Sequence, residues 1–320
     1  MGRASNMSGD YVGVNKADVL DRMSQPQQAI DMDSKLKDLA DKTKQIMKNL
    51  EGQTTPQTPS IDEKLAAMTT PDQWLHTPEE FKALDPQSQL FSLLKLTRTP
   101  TYDCKDREVL GGIEGGDGQW NTCFDSWTDT CKVFSFGIDY DFSWDQEVAA
   151  RGKCKVASFD PSMEWEEKDV DANVRYYPVG IAANDDESID GVRMRDGVQQ
   201  KWKVATLGTS MKNLQVERLT VLKMDVEGFE WEAIPEMISS GALKHVDQFI
   251  FEVHYFQHLY QGQESVEHWY NTVRAMSDQG LEMFYSHLNP MSSYGTINGV
   301  DRVACCYEVS FVRPQSLSNR

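Results

Sequence analysis

The chain has 320 residues, 39% of them hydrophobic, and a formal net charge of −18. So negative a surface repels a phosphate backbone, and no lysine or arginine cluster offsets it, so nucleic acid is excluded as a substrate. The sequence has no apolar run long enough for a membrane span and no signal-peptide pattern at its start, and MGRASN carries Asn6 where a myristoylation signal needs Ser or Thr.

Residues 1–27 are polar and aperiodic, which predicts a disordered tail. In 28–51, Met32, Leu36, Leu39, Thr43, Ile46 and Leu50 follow heptad spacing. Two readings stand: a short coiled-coil stalk, through which the chain would oligomerise, or a single amphipathic helix docked on the domain. Residues 52–71, which include GQTTPQTPS, read as a linker, and the folded domain is expected over 72–320. Its first helix starts with Thr77 as N-cap and Pro78 at the first position; Asp85 and Pro86 restart a second helix that ends near Leu96. A Gly-rich loop, GGIEGGDGQW, follows at 111–120.

Strands and helices then alternate. Strands are predicted at KVFSF (132–136), KVASF (155–159), 174–179, 220–224, QFIFEV (248–253), 281–287 and 305–312. Helices are predicted over 144–151, 231–239 and 265–279, each closed by a glycine. This alternation implies an α/β fold with a parallel sheet covered on both faces; the last two strands, joined without a clear helix, read as a hairpin. The six cysteines form no C-x-x-C pair, so structural zinc is not expected. They are read either as disulfides, with Cys104–Cys123 the favoured pair, or as buried free thiols.

Asp160 ends a strand 23 positions after Gly137, the placement of an acid that binds ribose hydroxyls. Asp139 and Asp141 stand where a dinucleotide fingerprint carries later glycines. Carboxylates there argue against a pyrophosphate and suit a cationic nucleoside such as S-adenosylmethionine. Asp225 ends a strand at the sheet edge, where such folds place their chemistry. Glu227 and Gly228 form the turn beyond it, and Glu230 favours the dipole of the next helix. Glu252 and His254 are two apart on a strand and share a face, so both can converge with Asp225. His254 is then a candidate general base for deprotonating an acceptor hydroxyl. A divalent metal on Asp225, Glu252 and His254 would do the same work. The alternative is that Glu252 and His254 only satisfy buried polar groups. Gly115–Gly118 with Trp120 reads as a lid on a donor pocket or a simple turn. The aromatic string His254, Tyr255, Phe256, His258, Tyr260 reads as an acceptor pocket or the start of a core helix.

The set VFSFGID, SFDPS, KMDVEGFEWEAI and FIFEVH, preceded by GGDGQWNTC, resembles the FkbM-like class I methyltransferases, in particular a methyltransferase-like branch with a Gly-rich DG element. The resemblance runs from about residue 88 to 313. It implies a Rossmann-like, seven-stranded, mostly parallel sheet with the last strand antiparallel, and S-adenosylmethionine as methyl donor. By position, Gly137 would underlie the methionine part of the donor, Asp160 would hold the ribose, and Asp225 would sit beside the methyl group or the acceptor. Ser135 stands where many such enzymes carry an acid, with Asp139 compensating, and Asp117 of the DG element joins the cofactor side. The expected activity is O-methylation of a small-molecule, glycan or protein acceptor. Two competing readings are a metal-dependent glycosyltransferase, resting on Asp139-Tyr140-Asp141 as a D-x-D, and a non-catalytic module that retains the fold. The chain as given is expected to be soluble, and to be luminal in the secretory pathway or Golgi if an anchor precedes it.

Overall fold

The computed structural model describes residues 59–314 apart from 114–115, 126, 128–130, 194 and 256–262, together with Lys37, Lys42 and Lys44, which are helical and exposed. Contacts divide the chain into two units, Met1–Pro59 and Ser60–Arg320, and everything that follows concerns the second. The expected tail at 1–27 and, those three lysines aside, the stalk or helix at 28–51 lie outside the described residues.

Helix α1 (Ile61–Ala67) occupies part of the stretch expected to be linker. Ser60 and Glu63 form a reciprocal capping box, and Leu65 is buried, so this segment belongs to the folded unit. After a 3-10 turn at Pro71–Gln73 come α2 (Pro78–Ala83), capped by Thr77, and α3 (Pro86–Leu96), capped by Asp85. Both carry proline at the first helical position, where its missing N–H costs nothing. The hairpin of β1 (Arg107–Leu110) and β2 (Trp120–Cys123) follows.

The sheet is then built from β3 (Lys132–Phe136), helix α4 (Ser143–Gly152), β4 (Lys155–Phe159), β5 (Lys168–Asp169) and β6 (Val174–Tyr177). Three short or exposed strands come next: β7 (Gly180–Ile181), β8 (Asp186–Arg193) and β9 (Val198–Ala205). Helix α5 (Leu207–Asn213), β10 (Leu219–Met224), helix α6 (Glu230–Ser239), β11 (Val246–His254) and helix α7 (Gln263–Asp278) continue the alternation. The described chain finishes with β12 (Glu282–Leu288), β13 (Tyr294–Ile297), β14 (Val300–Ala304) and β15 (Cys306–Val312).

The strand order of the main sheet is β12-β15-β11-β10-β3-β4-β6-β5. Strands β11, β10, β3, β4 and β6 run parallel, and β15 is antiparallel to both β11 and β12. The sheet has eight strands where seven were expected; the extra one, β5, is a two-residue antiparallel edge. β12 and β15 pair, but not as a simple hairpin, because the β13–β14 hairpin is inserted between them. The β7–β9–β8 sheet was not expected: β8 is mostly exposed and shows no alternation of apolar residues to read.

The period-2 alternation of side chains divides the core in two. Phe134, Phe136, Ala157, Leu222 and Phe249 face the helical layer that includes α3, α6 and α7. Val133, Val156, Val221 and Ile250 face α4 and the β1–β2 hairpin. β10, β11 and β15 are buried at every position, as strands in the middle of a two-sided sheet must be. Gln248 of β11 pins the hairpin by exchanging two hydrogen bonds with the Cys123 backbone, at 2.9 and 3.0 Å. Cys104 pairs with Cys123, Cys131 with Cys154, and Cys305 with its neighbour Cys306.

Candidate active site

β3, β4 and β10 end side by side, and the loops beyond their carboxyl ends enclose a cavity of about 470 Å³. Trp120, Trp144, Phe159 and Phe229 give it aromatic walls, and Asp117, Asp139 and Asp225 bring carboxylates to it. A largely apolar hollow of this size with a few convergent polar groups is what a small-molecule site requires.

Gly137, just past β3, packs closely against Asp225, just past β10. Its φ is +79°, and a Cβ there would lie 1.6 Å from the carbonyl oxygen of Asp225. Only glycine fits. Its N–H donates to Phe159 O at 2.9 Å, and its carbonyl accepts from Lys223 Nζ at 2.9 Å. Lys223 is buried on β10, with its ammonium 4.7 Å from the centre of the Trp120 ring. In the sequence its only signal is a lysine within the otherwise apolar strand LTVLKM.

Asp160 organises the turn that follows β3. Oδ2 accepts from the backbone N–H groups of Ile138 and Asp139, both at 2.9 Å. Oδ1 accepts from Ser162 N at 2.8 Å and Ser162 Oγ at 2.6 Å. The carboxylate's acceptor positions are therefore filled by the turn it organises, and a ribose hydroxyl could only share them. Asp139 is held in that turn at a φ of +39°, with Arg195 Nη2 3.5 Å from its carboxylate. Burial pushes the Asp139 pKa up and Arg195 opposes it. Asp141 accepts from the N–H of Ser143, the first residue of α4, at 2.9 Å. Among the described residues, no metal-ligand grouping includes the Asp139-Tyr140-Asp141 triplet.

Ser135 does not line the cavity. It is fully buried in β3 beside the buried carboxyl of Asp145, so its side chain does not reach the cavity where a cofactor was expected. The buried carboxyl in this region is Asp145 of α4, which accepts from Ser158 Oγ at 2.5 Å. Burial pushes its pKa up to about 6, against the pull of Lys223. Asp117 lines the cavity, accepts from Gly118 N at 2.9 Å and lies 3.3 Å from Asn289 Nδ2. Asn289 Nδ2 also donates to Glu252 at 2.8 Å, so it links the cavity to the acidic group behind it.

That group gathers around His254, at the end of β11. Glu227 (φ +56°) and Gly228 (φ +104°) turn the chain from β10 into α6. Glu230, fully buried, accepts from Gly228 N at 2.9 Å, His254 N at 2.8 Å and His254 Nδ1 at 3.1 Å. Its role is to hold the imidazole, a task beyond favouring a helix dipole. His254 Nε2 lies 3.5 Å from Glu227 Oε2 and 3.8 Å from both Asp225 Oδ1 and Glu252 Oε2. Asp225 and Glu227 open onto the cavity, whereas His254 and Glu252 are buried behind them and do not line it.

Burial alone would lower the His254 pKa, but Glu230 and the other carboxylates hold it well above its ordinary value. Burial pushes Glu227 up to about 7, against His254. Glu252 stands directly opposite Glu308 across β11 and β15, and burial, reinforced by Asp225, pushes both up to about 9. Tyr255 belongs to the core: it is fully buried, and its hydroxyl meets Thr97 Oγ1 at 2.8 Å, so it lines no acceptor pocket. Phe256, His258 and Tyr260 of the aromatic string, and Gly115 of the Gly-rich loop, lie outside the described residues.

A family model described as a methyltransferase domain matches residues 38–300. Among curated proteins, the chain is 22% identical over 201 residues to the probable methyltransferase-like protein 24 of Homo sapiens, covering 61% of this chain and 54% of that protein. It is 23% identical over 190 residues to the probable methyltransferase-like protein 24 of Rattus norvegicus, covering 58% and 51% respectively. The chain thus spans about half the length of the curated relatives it matches.

Proposed function

Because the chain belongs to the methyltransferase-domain family, we propose that it transfers a methyl group from S-adenosylmethionine to an oxygen of a small-molecule, glycan or protein acceptor. The observation that carries this reading is the cavity at the carboxyl ends of β3, β4 and β10, with aromatic walls and carboxylates. The residues present fit the donor. Aromatic faces suit its adenine and sulfonium, the acids at 117 and 139 suit its ammonium, and the tight turn at Gly137 gives the close backbone approach its amino-acid end needs. Ser162, beside the saturated Asp160, is the hydroxyl placed to share in holding the ribose.

When bound, the donor supplies an electrophilic methyl group. The chain's own contribution is to receive the proton that an acceptor hydroxyl must lose as its oxygen forms the new bond to carbon. Asp225 and Glu227 are the carboxylates exposed to the cavity, and Glu252 and His254 back them. A buried His254 acts here through Asp225 and Glu227 and not by touching the acceptor. The FkbM-like subtype is part of the same proposal, supported by the order of the KMDVEGFE and FEVH motifs. The paired Cys104 and Cys123 favour an oxidising compartment such as the secretory lumen. No helix among the described residues is long and apolar enough to cross a membrane.

The test is a titration with S-adenosylhomocysteine, read by calorimetry and by quenching of tryptophan fluorescence, since Trp120 and Trp144 wall the cavity. Saturable micromolar binding, weakened in Asp139→Asn, is expected. A folded protein that binds no S-adenosylhomocysteine, or that binds a uridine diphosphate sugar with manganese instead, overturns the reading.

A further inference from the structure

We propose that Asp225, Glu227 and His254 form a site for one divalent transition-metal cation of the manganese class, set in the wall of the cavity. The site stands on its own geometry; its use, to polarise the acceptor oxygen, rests on the methyl-transfer reading.

One ligand atom from each of these three residues lies within 4.8 Å of the other two. His254 Nε2 is 3.5 Å from Glu227 Oε2 and 3.8 Å from Asp225 Oδ1. Atoms that share one ion at about 2.1 Å stand roughly 3.0–3.5 Å apart in octahedral or tetrahedral arrangements. The two histidine distances therefore need to contract by only a few tenths of an ångström, and the two carboxylate oxygens, within 4.8 Å of each other, by at most about 1–2 Å. Asp225 and Glu227 have room for this, with side chains 27% and 39% exposed.

A second observation points to a ligand between them. The His254 imidazole is 3% exposed, and Glu230 fixes it through Nδ1, which leaves Nε2 facing Glu227, Asp225 and Glu252 at 3.5–3.8 Å with no hydrogen bond among the described residues; a bound cation would replace the Nε2 proton that these carboxylates favour. Glu227 Oε2, facing it, is also without a hydrogen-bond partner among the described residues. An imidazole held by a buried carboxylate on one nitrogen and free on the other is the arrangement that orients a metal-ligating histidine. The local charge agrees. Asp117, Glu230, Glu252 and Glu308 add to the negative field around Asp225, and Lys223, hydrogen-bonded to the Gly137 carbonyl, offsets part of it.

Two carboxylate oxygens and one imidazole nitrogen suit manganese, iron, cobalt or zinc better than calcium or magnesium. Three protein ligands leave coordination positions open on the cavity side, where an acceptor hydroxyl could bind; with Asp225 and Glu227 committed to the ion, its proton would pass to water in the cavity. A competing set, Glu252, His254 and Cys306, shares the histidine, but its sulfur is bonded to Cys305.

The test uses the full chain after treatment with a chelator. Manganese(II) chloride is titrated by calorimetry and by the loss of the free-ion electron paramagnetic resonance signal, and the bound ion is examined for nitrogen hyperfine coupling. The expected result is one ion per chain, a nitrogen coupling, and affinity lowered at least 10-fold in Glu227→Gln and in Asp225→Asn. Because Glu227 is partly exposed, Glu227→Gln should fold normally, which circular dichroism checks. No stoichiometric binding, binding unchanged in Glu227→Gln, or a bound ion without nitrogen coupling overturns the site. S-adenosylhomocysteine is titrated in parallel. If it binds and manganese does not, the metal site fails and the methyl-transfer reading stands; the reverse outcome fails that reading and leaves the site.

Discussion

Replacing Gly137 with alanine tests the narrowest point of the site. The added Cβ would lie 1.6 Å from Asp225 O, whereas an ordinary carbon–oxygen contact is about 3.3 Å. The ends of β3 and β10 would have to separate by more than an ångström, yet Asp225 N is tied to Phe136 O at 2.9 Å. Overpacking of this kind costs about 1–3 kcal/mol, and alanine at positive φ roughly 1–2 kcal/mol more, so about 2–5 kcal/mol in all. For a domain of this size that corresponds to a fall in Tm of about 5–15 °C. Gly241→Ala is the control: its φ is +83°, but nothing lies within 4 Å of a Cβ, so only the backbone cost of about 1–2 kcal/mol applies. Thermal denaturation followed by circular dichroism measures both. The reasoning fails if the two variants lose the same Tm, because the Asp225 contact would then contribute nothing.

Asp145 predicts a pH dependence. Its folded pKa is about 6, above the unfolded value near 3.8, so the folded state holds the extra proton between these values. Stability from this group is complete at acid pH and falls as pH rises from about 4 to 6, by roughly 3 kcal/mol for a shift of this size. Urea denaturation at pH 4 and pH 7 should show the wild type losing stability relative to Asp145→Asn across that window; parallel pH profiles would refute it. The Cys104–Cys123 bridge closes a sequence separation of 19 residues, and its removal in Cys104→Ser/Cys123→Ser should cost about 3 kcal/mol. Wild type treated with a reductant should lose at least as much, since Cys131–Cys154 and Cys305–Cys306 open with it, and detection of both Cys104 and Cys123 as free thiols in the untreated protein would contradict the pairing.

Much of the sheet was legible because its strands are short apolar runs bounded by glycine, proline or aspartate, and its helices carry readable caps. KVFSF, KVASF, LTVLKM and QFIFEV bury nearly every side chain, which is what continuous apolar runs signify. β8 and β9 escaped notice because a mostly exposed hairpin has no hydrophobic face to alternate with. The capping box at Ser60 and Glu63 could have been read, but the Thr- and Pro-rich stretch before it masked the start of the domain. In the site, the nearness of Asp225, Glu252 and His254 followed from strand periodicity. The work of Asp160, Glu230 and Lys223 did not, because it depends on which backbone groups other segments bring to them. A carboxylate that fastens a turn and one that binds a sugar look identical in sequence.

The position of β15 has a consequence for how the molecule is made. This strand follows every other member of the main sheet in the chain, yet it lies inside the sheet, between β11 and β12. β12 touches the sheet only through it. During synthesis, then, the half-built sheet carries β11 as a bare edge, a row of unpaired backbone groups with Phe249, Phe251 and Val253 on one face, until residues 306–312 have emerged. A ribosome that stalls, or a stop codon that falls, between β12 and β15 would release a chain that is almost all present and still able to recruit its own copies.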